Sequence, residues 1–435
     1  MKSLFLMDRG SVLLEKRDRT LYFFLLLFFA TLYTPVTPVP NGAAMWLLFG
    51  YTLLHSSFSE KWQLLKQRKE IIIILLFYLL NCVSGLLSHN RHEGVSWIGI
   101  RIALFAMPFA IGTIYIKPAL KERLLYAFAT VTAIAAIASL IWGFIRAFRL
   151  HDTSLLYNDS LSEALNLQSI YFAMLVDLAI FSYIYLLVKD SRFINRNRLL
   201  IIILLLFVVH FLLASRVAII ILYSSTVLFA IAHIVRQRKL LEGITLVLGL
   251  LVGGFLLVKF FPKTVNRFRE LGYTQFSYTN NGPESHYNME VTADQWNGAN
   301  IREAVWQCGW AVIGKNMLLG VGLGDKLDEL KKEYGRRGFE FGIRTNRNMH
   351  SSYLDTWLAL GLLGLVVFVA GFIIIPLVKC GQYHDWLGMT ILLAFTISMT
   401  VETYMDRTVG NVLLGFFSAF VAAYKKPRVW AEENQ

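Results

Sequence analysis

The sequence is poor in what a disulfide-stapled or metal-bound domain needs. It has three cysteines in 435 residues, too few for a disulfide framework. Cys82 and Cys380 fall in or beside apolar runs, which leaves Cys308 without a partner in its own segment. Outside the apolar runs no Asp-x-Asp occurs, nor any His/Asp/Glu cluster at metal-ligand spacing. Asp325 and Asp328 are the wrong distance apart for a paired-carboxylate motif. The expectation is therefore a chemistry without metal or cofactor. Alternation of period two is not sustained anywhere, which excludes a membrane β-barrel. No internal repeat is present, which argues against the two-halved plan common among transporters. No cleavable leader is expected in residues 1–20, where Arg9, Lys16, Arg17 and Arg19 alternate with Asp8, Glu15 and Asp18 and run straight into an apolar block.

What is abundant is hydrocarbon. The chain is 56% hydrophobic with a mean hydropathy of +0.53, and its apolar residues come in blocks near the roughly 20 residues an α-helix needs to cross a bilayer. The pattern predicts an all-α polytopic membrane protein with about 12 transmembrane helices. They fall at 21–39, 41–58, 71–88, 95–116, 124–145, 167–188, 198–214, 217–235, 241–261, 352–378, 386–402 and 408–424. In outline, residues 1–20 form a cytoplasmic segment, 21–261 hold nine helices, 262–351 form one large external loop, 352–424 hold three more helices, and 425–435 form a cytoplasmic tail.

A net charge of +13 invites a nucleic-acid reading, which its distribution removes. Lys61, Lys66, Arg68 and Lys69 fill one short connection, and Lys117, Lys121 and Arg123 the next but one. The series continues with Lys189, Arg192, Arg196 and Arg198, then Arg236, Arg238 and Lys239, then Lys425, Lys426 and Arg428. If every block spans once, all lie on the side of the basic N-terminus. That is the positive-inside pattern, with both termini cytoplasmic.

The 262–351 loop is far longer than a usual connection, which marks it as functional. Residues 273–296 read as irregular and rich in Asn, Tyr and Gly. Ile301, Val305, Trp306, Trp310 and Ile313 recur at helical spacing and predict an amphipathic helix over 300–315. Gly320-Val-Gly322-Leu-Gly324 reads as the turn that ends it, and a second, charged helix is expected over 325–334.

Three features on the loop side carry chemistry. Ser215-Arg216 is wedged between two apolar runs, and Arg302 opens the amphipathic helix. His350 sits where the loop re-enters the membrane. Each also has a plain reading: a helix-end anchor for Arg216, a solvated partner of Glu303 or Glu290 for Arg302, an interfacial or capping residue for His350. Together they form two guanidiniums, which bind phosphate oxygens bidentately, and one imidazole able to accept a proton. Arg344 and Arg347 are expected to add phosphate or acceptor contacts at the same mouth. Tyr273, Tyr278, Tyr287 and Trp296 suit either sugar stacking or a small loop core. Inside the membrane, Arg101, Asp177 and His210 are ionisable residues to account for, an Arg101–Asp177 pair being one expectation.

These stretches resemble the O-antigen ligase and polymerase superfamily. Leu212–Arg216 is similar to its short Ser-Arg element. Arg302 four residues before Trp306, followed by Ile313 to Gly324, looks like its loop motif. His350-Ser-Ser-Tyr353-Leu354, with Trp357 and Gly361-Leu-Leu-Gly364-Leu365, looks like its closing signature. The likeness covers about residues 210–366. Two positions depart from the family pattern: Ser351 stands where Asn usually follows the histidine, and Met317-Leu318 replaces an Asn-Pro. The resemblance implies a GT-C-type inverting glycosyltransferase of a bacterial inner membrane. It would move O-antigen from undecaprenyl pyrophosphate to lipid A-core at the periplasmic face. By position, His350 would activate the acceptor, while Arg216 and Arg302 would hold the donor's pyrophosphate. The nearest alternative is an O-antigen polymerase using the same donor. A secondary transporter is the alternative of another class.

Overall fold

The computed structural model describes residues 15–34, 39–189, 195–237, 240–280, 282–285 and 295–425. Asp8, Arg9, Arg192, Arg238, Lys239, Tyr287, Glu290, Lys426 and Arg428 lie outside the described residues. Among those described, every regular element is helical, and the one β-contact is an isolated bridge between Glu284 and Trp296.

Among the described residues, six helices are long and apolar enough to cross a membrane: Lys69–Leu87, Arg91–Gly112, Pro118–Leu150, Ser169–Val188, Gly243–Phe260 and Ser352–Gln382. Arg216–Ile231, Trp386–Ser398 and Thr408–Ala423 are shorter apolar helices. The chain is a multi-pass, all-α membrane protein. Two details differ from the hydropathy pattern. The block at 95–116 is broken at Arg101 into Arg91–Ile100 and Ala103–Gly112. Phe58–Gln67 forms a further helix in a stretch expected to be a loop, because a polar amphipathic helix leaves no long apolar run.

The chain divides into two compact units. The first comprises residues 1–67, 110–219 and 423–435. Its centre is Ser169–Val188, buried along nearly its whole length against Pro118–Leu150 and Arg196–Leu212. Pro118 starts its helix where a missing N–H costs nothing, and the Asn195 side chain caps the next by accepting from Arg198 N. Asp177 has His210 as its partner, Nδ1 to Oδ1 at 2.8 Å, both side chains fully buried.

The second unit comprises residues 68–109 and 220–422. Its loop portion has its own core, in which Trp296, Val305, Cys308, Tyr334, Phe339 and Met349 are buried together. The helix Asn300–Lys315 lies where its apolar spacing put it; Lys326–Arg337 follows and ends on Gly338 in the left-handed region. Trp296 is fully buried and stacks on Phe341 at 5.2 Å. It is a core residue and offers no sugar platform. Tyr278 is partly buried against that core and Tyr273 is exposed.

The glycine motif does more than turn the chain. The helix Ser352–Val369 is interrupted at Gly361 (φ 67°, ψ −169°), a conformation open essentially to glycine alone. The Gly320 loop repairs the broken ladder: Val321 N donates to Leu358 O at 2.9 Å, Gly322 N to Ala359 O at 3.0 Å, and Leu362 N to Met317 O at 2.9 Å. A Cβ on Gly361 would stand 2.2 Å from Leu318 O. The same helix widens to a π turn at Ala370–Ile374 before Ile375–Gln382.

Candidate active site

The loop that follows Trp386–Ser398 builds the second unit's site. Its backbone is sewn to the start of the Ser352 helix. Ser352 N donates to Met399 O and Glu402 O at 2.9 and 3.1 Å, and Ser352 Oγ donates to Glu402 O at 2.7 Å while accepting from Tyr404 N at 3.0 Å. Arg302, from the first loop helix, reaches the same strip. Its Nε donates to Val401 O at 3.2 Å and its Nη1 to Gly298 O. These carbonyls, rather than Glu303, aim the guanidinium; Glu303 accepts instead from Gln307.

His350 sits in the left-handed region at φ 44°, unusual for a residue with a Cβ. Its backbone N donates to Asn348 Oδ1 at 3.1 Å. Ser351 then caps the helix by accepting from Leu354 N, the task for which an asparagine would serve equally. The departure from the family pattern at this position therefore keeps the local geometry. Burial, followed by the charges of Arg302, Arg347 and Arg407, holds the imidazole down to about 3 against a weaker pull upward from Asp406. At neutral pH His350 is an uncharged base surrounded by guanidiniums.

Arg347 is fixed by Thr345 Oγ1 at 3.0 Å and by Glu284, with its guanidinium over the Phe341 ring. Arg344 is exposed at the end of Glu340–Arg344 and is not among the charges acting on His350. Arg216 belongs to the other unit. There it opens the helix Arg216–Gln237 just after Ala214, which has a φ of 50°.

Sequence reasoning missed Arg407 and the charge cluster beneath it. Arg101 donates to Asn81 Oδ1 and pairs with Asp355 at 3.1 Å and Asp406 at 3.2 Å; these carboxylates take the place of the expected Asp177. Lys326 pairs with Asp355 at 2.8 Å and with Asp406. The four side chains are between 0% and 5% exposed. Asp406 Oδ2 also accepts from Asn348 Nδ2 at 3.0 Å, so the cluster runs directly into the turn that carries His350. The one sequence signal was the charged pair Asp406-Arg407 between two apolar helices. Among the described residues, no group of three or more His, Cys, Asp or Glu is placed to hold a metal ion.

A family model described as O-antigen ligase matches residues 199–369. That match makes residues 199–369 similar to O-antigen ligases. The matched region contains Arg216, Arg302, Arg344, Arg347 and His350, whereas Arg101, Asp406 and Arg407 lie outside its limits. No curated protein matches the chain.

Proposed function

We propose that the chain is an O-antigen ligase, an inverting, metal-independent glycosyltransferase of the bacterial inner membrane. It moves O-antigen polysaccharide from undecaprenyl pyrophosphate to lipid A-core on the periplasmic face. The full plan is GT-C-like, with about twelve spans and both termini in the cytoplasm. The family covers both O-antigen ligases and polymerases, and its members act on lipid-linked substrates in a bilayer. The observation that carries this reading is His350: a neutral imidazole in a left-handed backbone, with Arg302, Arg347 and Arg407 acting on it.

In the proposed step, the acceptor hydroxyl oxygen attacks the anomeric carbon of the donor glycan. The bond from that carbon to the pyrophosphate oxygen breaks, the hydroxyl proton passes to His350, and undecaprenyl pyrophosphate leaves as the anion. Guanidiniums already in place favour the charge that develops on the leaving group. Arg302 binds that diphosphate, with Arg347 and Arg344 as further contacts, and the sequence resemblance adds Arg216 as a second donor-phosphate guanidinium.

An imidazole held near 3 is a weak base, since proton transfer is most effective when the base's pKa lies near the working pH. The donor resolves this difficulty. Burial is the larger cause of that low value, but the diphosphate offsets the guanidiniums that add to it, so the imidazole's proton affinity rises once the donor is bound. The neutral form is required, so a higher pKa in the complex moves the loss of activity on acidification to higher pH. The acid limb of kcat is thus expected at least about one pH unit above that of kcat/KM, the two reporting the bound and free enzyme respectively. Coincident limbs would show that the donor's charge does not sit at these guanidiniums.

Arg216→Lys is expected to weaken donor binding by about tenfold or more, because a point ammonium cannot reproduce a bidentate fork. An unchanged donor affinity would leave Arg216 as a helix-end anchor. The deciding assay combines purified protein, lipid-linked O-antigen and lipid A-core, and follows the joined product. If the donor is consumed only when a second lipid-linked glycan is the acceptor, the ligase reading fails in favour of polymerisation.

A further inference from the structure

Met317, Leu318 and Leu319 are 49%, 68% and 77% exposed. Three large apolar side chains exposed in a row on a loop contradict the pattern of soluble surfaces. Their place in the fold supplies the reason. The segment is stitched into the Ser352–Val369 helix at Gly361, with Met317 O accepting from both Leu362 N at 2.9 Å and Trp357 Nε1 at 3.1 Å.

The depth of that stitch follows from the far end of the same span. There Lys379 pairs with Glu70, which is the second residue of Lys69–Leu87. Lys379 lies eighteen residues after Gly361, about 27 Å along a helix rising 1.5 Å per residue. A bilayer's hydrocarbon is about 30 Å thick. With the Lys379–Glu70 pair at one boundary of the hydrocarbon, Gly361 and the segment against it stand at the other. On the side of Gly361 toward Lys379, Leu363 and Val366 are also exposed, as befits a flank that faces lipid. On the loop side, Trp310 packs edge-on against Trp357 at 5.2 Å and keeps about half its surface free. Tryptophan is the side chain favoured where hydrocarbon meets headgroups. The exposed triplet therefore continues a lipid-facing surface and has an interfacial tryptophan pair beside it.

We propose that Met317-Leu318-Leu319 inserts among the acyl chains of the leaflet on the loop side. The extramembrane body is then anchored to the bilayer by a third contact besides its two ends, and that contact sets the height at which the Asn300–Lys315 helix carries Arg302.

The test uses the full chain in phosphatidylcholine–phosphatidylglycerol vesicles with an environment-sensitive NBD label at Leu318→Cys. Leu319→Cys serves as a second probe in case the first perturbs folding. Lys332→Cys, 66% exposed on the neighbouring helix, is the aqueous reference, and the unsubstituted protein measures any labelling of the native cysteines. The expected result is blue-shifted emission at 318 and 319. Lipids brominated high on their chains should quench it several-fold more strongly than aqueous iodide does, with the order reversed at 332. Iodide quenching at 318 and 319 equal to that at 332 would overturn the proposal. So would probes shielded from both quenchers, since another protein surface would then cover the segment.

Discussion

His350→Ala is expected to slow glycan transfer by about 10²–10⁴-fold, the range typical for removal of a general base, with the protein still present in the membrane at its normal level. The substitution adds no backbone penalty of its own. At φ 44° alanine and histidine carry the same Cβ and meet the same left-handed strain. His350→Asn separates the two roles more sharply. Asparagine tolerates that backbone better than most residues but accepts no proton at working pH, so it should match the alanine variant in rate and equal or exceed the parent in stability. Transfer measured with purified protein, alongside donor binding, decides the matter. An alanine variant running at full speed would remove His350 from the chemistry.

Lys326→Met is expected to lower the stability of the protein by about 3–5 kcal/mol, as when one member of a buried ion pair is removed. Lys326 is fully buried, with its ammonium on both oxygens of Asp355 at 2.9 and 2.8 Å and on Asp406. Without it, two buried carboxylates share the single charge of Arg101. The double variant Lys326→Met with Asp355→Asn restores the balance of one cation to one anion and should regain a measurable part of the loss, read as a coupling free energy in a double-mutant cycle. Unfolding in detergent supplies both numbers. A single variant as stable as the parent would mean that water or a neighbouring group already compensates the cluster. The single variant should also slow transfer, because Asp406 holds Asn348 and Asn348 Oδ1 accepts from His350 N.

The contrast between these positions explains what was legible in the sequence. The loop helix was readable because Ile301, Val305 and Ile313 recur at helical spacing within sixteen residues. His350 and Arg302 stand out in the sequence as candidates because their type and place beside apolar runs suggest chemistry. The partners of Arg101 do not, since Asp355 and Asp406 lie 254 and 305 residues away and no local pattern records such a pairing. Asp177 was a plausible guess for the same reason that it was unreliable: any buried carboxylate answers a buried guanidinium. Arg407 does not stand out because the pair Asp406-Arg407 between two apolar runs reads as an ordinary polar connection. The Gly320 motif reads as a turn, but the carbonyls it serves, those of Leu358 and Ala359, belong to a helix whose sequence shows no break beyond two glycines. For Trp296 the sequence leaves sugar stacking and a small core equally open, because aromatic residues in irregular segments serve cores and ligands alike, and its full burial decides for the core.

The widened turn at Ala370–Ile374 has a rotational consequence. A π turn accommodates one residue more than the regular helix, and each residue advances the azimuth by about 100°. Everything after residue 374 therefore faces a direction that the upper part of the same rod would not give it, and Lys379 meets Glu70 from that direction. Deleting one residue between 370 and 374 would return the rod to a regular helix and leave Lys379 facing Glu70, whereas straightening the turn at unchanged length would swing the ammonium by about 100° off its carboxylate. The irregularity works as a fixed angular offset between the end that bears His350 and the end that bears Lys379.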